Sequence, residues 1–198
     1  SWNNLFNNVD TDKIPKIINK NDINNNNNLF PDSGWYKFNH GRFILFIRQD
    51  KKGFPNHVGH HHQDFGHFVL FIDNHEFIID IGRKNYINKN GVFPNFHNTV
   101  QVDGLGVIPK YPHRYPHKYS QYSNTLNYDQ QNGKINIKIS TDGFARLNKK
   151  NCWERTLVLK ENEFTINDII IGFNKKSKVN TNFYFSDKII LNKTQNNK

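Results

Sequence analysis

The sequence predicts an all-β protein, an antiparallel β-sandwich preceded by a short polar N-terminal segment. Three observations carry that reading. From Pro31 onward, short runs rich in Phe and Ile are broken by turn residues at intervals of about 8–12 positions, the rhythm of a sandwich. Lys134-Ile135-Asn136-Ile137-Lys138-Ile139 alternates strictly between polar and apolar, as a half-buried strand must. No long stretch of this region carries a helical period.

Residues 1–30 are polar and Asn-rich, and Asn24 to Asn28 is an unbroken Asn run that cannot bury enough surface to order itself. They read as a linker from an upstream domain, with only short helical turns conceivable near Leu5-Phe6 or Ile14 to Ile18. The sandwich is placed at residues 31–190 and a polar tail at 191–198. Its strands are expected at Trp35 to Phe38, Arg42 to Arg48, His67 to Asp73 and Glu76 to Ile81. Others follow at Asn98 to Val102, Lys134 to Ser140, Arg155 to Lys160 and Phe164 to Gly172. Asp73-Asn74 suits a tight hairpin turn, because both residue types tolerate positive φ.

Composition sets further bounds. Only 35% of the 198 residues are hydrophobic, yet 14% are aromatic, so the core must be built on large rings. No apolar run approaches the ~18–20 residues of a membrane-spanning helix. The single Cys152 has no intrachain disulfide partner and reads as a small buried hydrophobe. The chain opens on Ser1-Trp2 and contains no Met, which predicts a processed product or a piece of a longer protein. No signal-peptide pattern stands at its start. A net charge of +10 favours polyanionic partners, whether nucleic acid, anionic lipid or acidic polysaccharide, and equally suits a merely solubilising surface. No nucleic-acid-binding motif accompanies the charge, so no specific nucleic-acid partner is expected.

One segment mixes rings and cations. Tyr111-Pro112-His113-Arg114 is echoed at once by Tyr115-Pro116-His117-Lys118, and its two prolines forbid a regular helix. Tyr111 and Tyr115 could stack on sugar faces while Arg114 and Lys118 bind carboxylates or sulfates. A solvated basic loop capping the sandwich edge is the plainer alternative.

The densest chemistry is Gly59-His60-His61-His62-Gln63-Asp64. In an extended segment His60 and His62 share one face. Asp80 ends the following hairpin and His97 begins the next strand, so His62, Asp80 and His97 come from three neighbouring strand ends. Two imidazoles and a carboxylate suit one Zn²⁺, leaving a fourth position for water or another ligand. With ten His in the chain, chance clustering of ordinary polar core residues is an equally open reading.

These motifs together resemble a known family. Gly59-His60-His61-His62-Gln63-Asp64, the apolar Phe68 to Phe71, Asp80-Ile81-Gly82, then His97-Asn98-Thr99-Val100 with Asp103-Gly104 are similar, in order and spacing, to the C-terminal β-domain of heparinase II/III-like polysaccharide lyases. Phe30-Pro31-Asp32-Ser33-Gly34 resembles that domain's entry, and Trp153-Glu154-Arg155 through Gly172 its later Arg-containing hairpin. The resemblance implies an antiparallel β-sandwich that works beneath an N-terminal (α/α) helical toroid, absent from this chain. It implies β-elimination of uronic-acid-containing acidic polysaccharide, with His60 stabilising charge or moving a proton. It also implies one structural zinc at His62, Asp80 and His97, and a periplasmic or cell-envelope location. The toroid would supply the remaining Asn and Tyr, so the isolated chain is expected to be inactive. A non-catalytic carbohydrate-binding or surface-polysaccharide assembly module on the same fold is the alternative. Bulky His61 and the Phe93-Pro94-Asn95-Phe96 segment depart from the family pattern.

Overall fold

A computed structural model describes residues 27–49, 62–82, 93–107, 123–147, 151–172 and 176–189. Every strand pairing within it is antiparallel. One sheet has the order β1-β2-β3-β4-β5, formed by Asn28–Phe30, Trp35–His40, Phe43–Arg48, Phe68–Ile72 and His75–Ile78. A second has the order β10-β9-β8-β7, from Phe164–Ile171, Cys152–Lys160, Lys134–Thr141 and Asn124–Gln131. A small ribbon pairs β6 (Val100–Val102) with β11 (Val179–Thr181). The only helical turns among the described residues are 3₁₀ segments at Pro94–Phe96 and Gly143–Arg146.

Alternation decides which face each strand buries. Phe43, Leu45 and Ile47 of β3 point inward, as do Ile135, Ile137 and Ile139 of β8 and Leu157 and Leu159 of β9. These residues form one continuous core with Phe38, Phe68 and Leu70, so the two large sheets pack face to face. Rings bridge the layers: Phe38 meets Tyr128 edge-on at 5.4 Å, and Phe68 meets Phe164 at 5.7 Å. Each such side chain removes ~1.5–3 kcal/mol worth of apolar surface from water.

The expected strands form at the expected places. The turn at Asp73-Asn74 also forms, with φ of 50° and 63°, the positive pair that a tight hairpin requires. Three strands were not anticipated. β1 begins inside the segment read as linker, where Asn28 pairs with Lys37. β7 shows little apolar alternation because most of it faces solvent, although the Asn132-Gly133 turn behind it has positive φ at both positions. β11 is three residues long and exists through its pairing with β6. Beyond it the chain runs along β5: Ile79 N–H donates to Tyr184 O at 2.9 Å and Ser186 N–H to Phe77 O at 3.1 Å. The end of β5, the entry to β4 and the entry to β6 are thereby gathered at one end of the sandwich.

Candidate functional site

A hairpin returns to where it started. His67 stands just before β4 and Asp80 two residues after β5, so the Asp73-Asn74 turn brings them to the same end of the sheet. His97 arrives from the third direction. It closes the 3₁₀ turn at Pro94–Phe96, donating its N–H to Pro94 O, and leads into β6.

His97 is fully buried, and its Nδ1 lies 3.1 Å from Asp80 Oδ1. His67 is 7% exposed, and its Nε2 lies 3.6 Å from Asp80 Oδ2. One ligand-type atom from each of His67, Asp80 and His97 falls within 4.8 Å of the other two. The His62 ring adjoins this knot, its centroid 5.1 Å from that of His97. Asp80 is the member that reaches solvent.

The charges are settled by surroundings. Burial drives His67 from the ordinary 6.5 down to about 4, and the neighbouring Asp80 offsets only part of that. His67 is therefore neutral at pH 7. Burial pushes Asp80 up, but the His97 hydrogen bond, the nearby imidazoles and the Gly82 N–H together hold it at about 2. Because His67 carries no charge near neutrality, the hydrogen bonds from His97 and Gly82 matter most there. Asp80 is a carboxylate.

A buried polar frame fixes the loops that carry these groups. Asn98 donates Nδ2 to Phe68 O and Ile79 O at 3.0 and 2.9 Å, and its Oδ1 accepts Tyr184 N–H at 2.8 Å. Its backbone N–H donates to His67 Nδ1 at 3.0 Å. Arg155 of β9 is fully buried: Nη1 donates to Gly66 O and Asn98 O, while Nε and Nη2 clasp Asp168 at 2.8 Å each. The guanidinium also lies against the rings of Phe68, Trp153 and Phe183. One cation thus pins both the His67 loop and the His97 loop to the second sheet.

Of the residues singled out from sequence, His62, Asp80 and His97 are drawn to one end of the fold. His60 lies outside the described residues, as do Tyr111, Arg114, Tyr115 and Lys118. Sequence reasoning gave His67 only as the start of a strand and Asn98 only as a strand and motif residue, with no role for either. Counting outward from the two-residue turn at 73–74 sets position 67 opposite position 80, but a bulge between Leu70 and Phe71 shifts the register so that Leu70 pairs with Ile78, and the count alone does not yield the contact. Arg155 was noted only as part of a hairpin, and its burial could not be read from a chain rich in exposed cations.

The profile of the "Heparinase II/III-like, C-terminal" family matches residues 22–198. This chain belongs to that family. Among solved structures, a heparinase III gene product is 17% identical with a TM-score of 0.60, the match covering 84% of this chain and 25% of that one. A second heparinase III structure is 17% identical with a TM-score of 0.59, covering 82% and 25%. A heparan sulfate lyase HepC mutant from Pedobacter heparinus is 15% identical with a TM-score of 0.53, covering 74% and 22%. At these identities the likeness is one of fold, and the chain spans about a quarter of the length of those structures. No curated protein matches the chain significantly. No helix among the described residues is long and apolar enough to cross a membrane.

Proposed function

We propose that this chain is the β-sandwich part of a polysaccharide lyase that cleaves uronic-acid-containing acidic polysaccharide by β-elimination. The observation that carries the reading is the convergence of Asp80 and His97, from the family's Asp-x-Gly and His-Asn-Thr-Val motifs, on one rigid end of the sandwich with His62 alongside. His60 stands two residues before His62 in the sequence. In the reaction a base removes the proton next to the uronate carboxylate and the bond to the leaving oxygen breaks. A carbon–carbon double bond forms, and a proton goes to the leaving group. The electron pair passes through the carboxylate, so a cation or donor aimed there lowers the barrier. His60 takes that role or the proton transfer. A helical toroid supplies the remaining groups. Tyr111, Arg114, Tyr115 and Lys118 would contact the acidic chain. A periplasmic or envelope location goes with this reading.

A zinc ion is read into the same end from two of its ligands, Asp80 and His97; the His62 ring adjoins His97, while the ligand atoms that lie within 4.8 Å of one another are those of His67, Asp80 and His97. Ligands about 2.0–2.1 Å from a tetrahedral ion sit ~3.3 Å from one another. Asp80 Oδ1 and His97 Nδ1 are 3.1 Å apart, and the carboxylate is already ionised. His62, Asp80 and His97 would hold it, and the ion would act as a structural cross-link between loops. His60 and the toroid carry the proton chemistry without it.

The test is an ultraviolet assay for unsaturated uronate product, using the full-length protein on heparan, chondroitin, hyaluronan and alginate. One of these is turned over, and His60→Ala lowers kcat by roughly 10²–10⁴. Glycan binding that survives His60→Ala, with no product from any polymer, would identify a binding module instead.

A further inference from the structure

The three-atom knot tempts a reading of His67 as another metal ligand, since its Nε2 stands 3.6 Å from Asp80 Oδ2. Tautomer chemistry argues otherwise. A backbone N–H can only donate, and Asn98 N–H points at His67 Nδ1 at 3.0 Å. Nδ1 must therefore offer its lone pair. A neutral imidazole whose Nδ1 is an acceptor carries its proton on Nε2. A nitrogen bearing a proton has no lone pair for a metal, and a metal-bound imidazole donates, rather than accepts, at its other nitrogen.

We propose that His67 is a positioning residue, locked by Asn98 as the Nε2–H tautomer, which donates to Asp80 Oδ2 and aims the carboxylate toward His97. The donor is buried and has no hydrogen-bond partner among the described residues at its present distance. Leaving a buried donor unpaired costs about 1–3 kcal/mol, so a shift of a few tenths of an ångström onto Asp80 is favoured. Asp80 then receives His97 Nδ1–H or a metal on Oδ1, Gly82 N–H on the same oxygen, and His67 Nε2–H on Oδ2. Its two oxygens have divided roles, one for the site and one for its support. The effect on metal affinity rests on the zinc reading above; the tautomer and the hydrogen bond do not.

NMR of isotopically labelled histidine nitrogens in the metal-stripped protein reads the tautomer directly. His67 is expected to show a protonated Nε2 and a bare Nδ1, and the opposite pattern would overturn the proposal. Loading with NMR-active cadmium should give spin coupling to His97 and none to His67. Coupling at His67 Nε2 would make it a ligand and sink the idea. If no cadmium enters, the zinc reading fails, while the metal-free spectrum still decides the role of His67. Two variants separate positioning from bulk. His67→Gln retains a donor near the Nε2 position and should bind zinc within a few-fold of the parent. His67→Asn retains only an acceptor near Nδ1 and should bind about 10–100-fold more weakly. Equal affinities in the two variants would count against the proposal.

Discussion

At the scale of single residues, His67 makes the fold sensitive to acid. Its proton is bound near pH 6.5 in the unfolded chain but only near about 4 in the folded one. Between those values the unfolded state holds the extra proton, so stability falls as pH falls. Two and a half units at about 1.4 kcal/mol each set an upper scale of roughly 3.5 kcal/mol. Asp80 is depressed instead, to about 2 from 3.8, so the stability it contributes is present above pH 3.8 and is lost only below it. Chelator-treated protein should therefore show a urea midpoint that drops steadily from pH 6.5 to 4. His67→Gln should flatten that slope. A midpoint constant across the window would mean that His67 takes up its proton without penalty. The tight turn at 73–74 was legible in the chain, but the approach of His67 to Asp80 and its neutrality were not, because a bulge between Leu70 and Phe71 shifts the register beyond that turn. Burial and the Asn98 N–H appear only once distant segments meet.

Among the elements, the core-facing strands were readable because alternation is local: β3, β8 and β9 each bury every second side chain. Strands that exist through their neighbours were not. β7 and β11 offer little apolar pattern, and β1 opens in an Asn run. The same limit hid Asn98, whose value is tertiary. Its side chain makes three hydrogen bonds, joining the start of β4, the exit of β5 and the C-terminal segment at Tyr184. Asn98→Ala strands two carbonyls and an N–H in the interior, so a loss of about 2–4 kcal/mol is expected in urea unfolding. Asn98→Asp keeps an acceptor for Tyr184 N–H but turns a donor into an acceptor against Phe68 O and Ile79 O, and should be no better. A loss under about 1 kcal/mol for Asn98→Ala would show that water replaces the clip. Gly66 illustrates the tightness of this corner: with φ of +67°, a Cβ there would lie 2.5 Å from Trp153 Cη2.

Over the whole molecule, the polar machinery and the net charge act at different ranges. The His67, Asp80 and His97 knot works over 3–4 Å within a mostly buried corner. On the lyase reading proposed above, the excess of +10 would attract an acidic polysaccharide before any specific contact forms. Several cations are already committed: Arg155 to Asp168 in the interior, Lys138 to Glu154 and Lys160 to Glu163 on the surface. The remainder of the positive charge makes a long-range attraction that salt must weaken, because the Debye length shrinks from ~10 Å at 0.1 M to ~3 Å at 1 M. The chain should therefore bind heparan sulfate at low salt and lose at least about tenfold in affinity between roughly 50 and 200 mM, as counterions released on binding are no longer favoured in solution. A neutral glucan of similar length should bind far more weakly at every salt concentration. Titration calorimetry across that salt series checks both statements. Affinity that is indifferent to salt, or equal for the neutral polymer, would move recognition from charge to sugar-face stacking and leave the basic surface with a solubilising role. The same experiment on His67→Asn should give an unchanged salt slope, since that substitution alters a buried hydrogen bond and no surface charge.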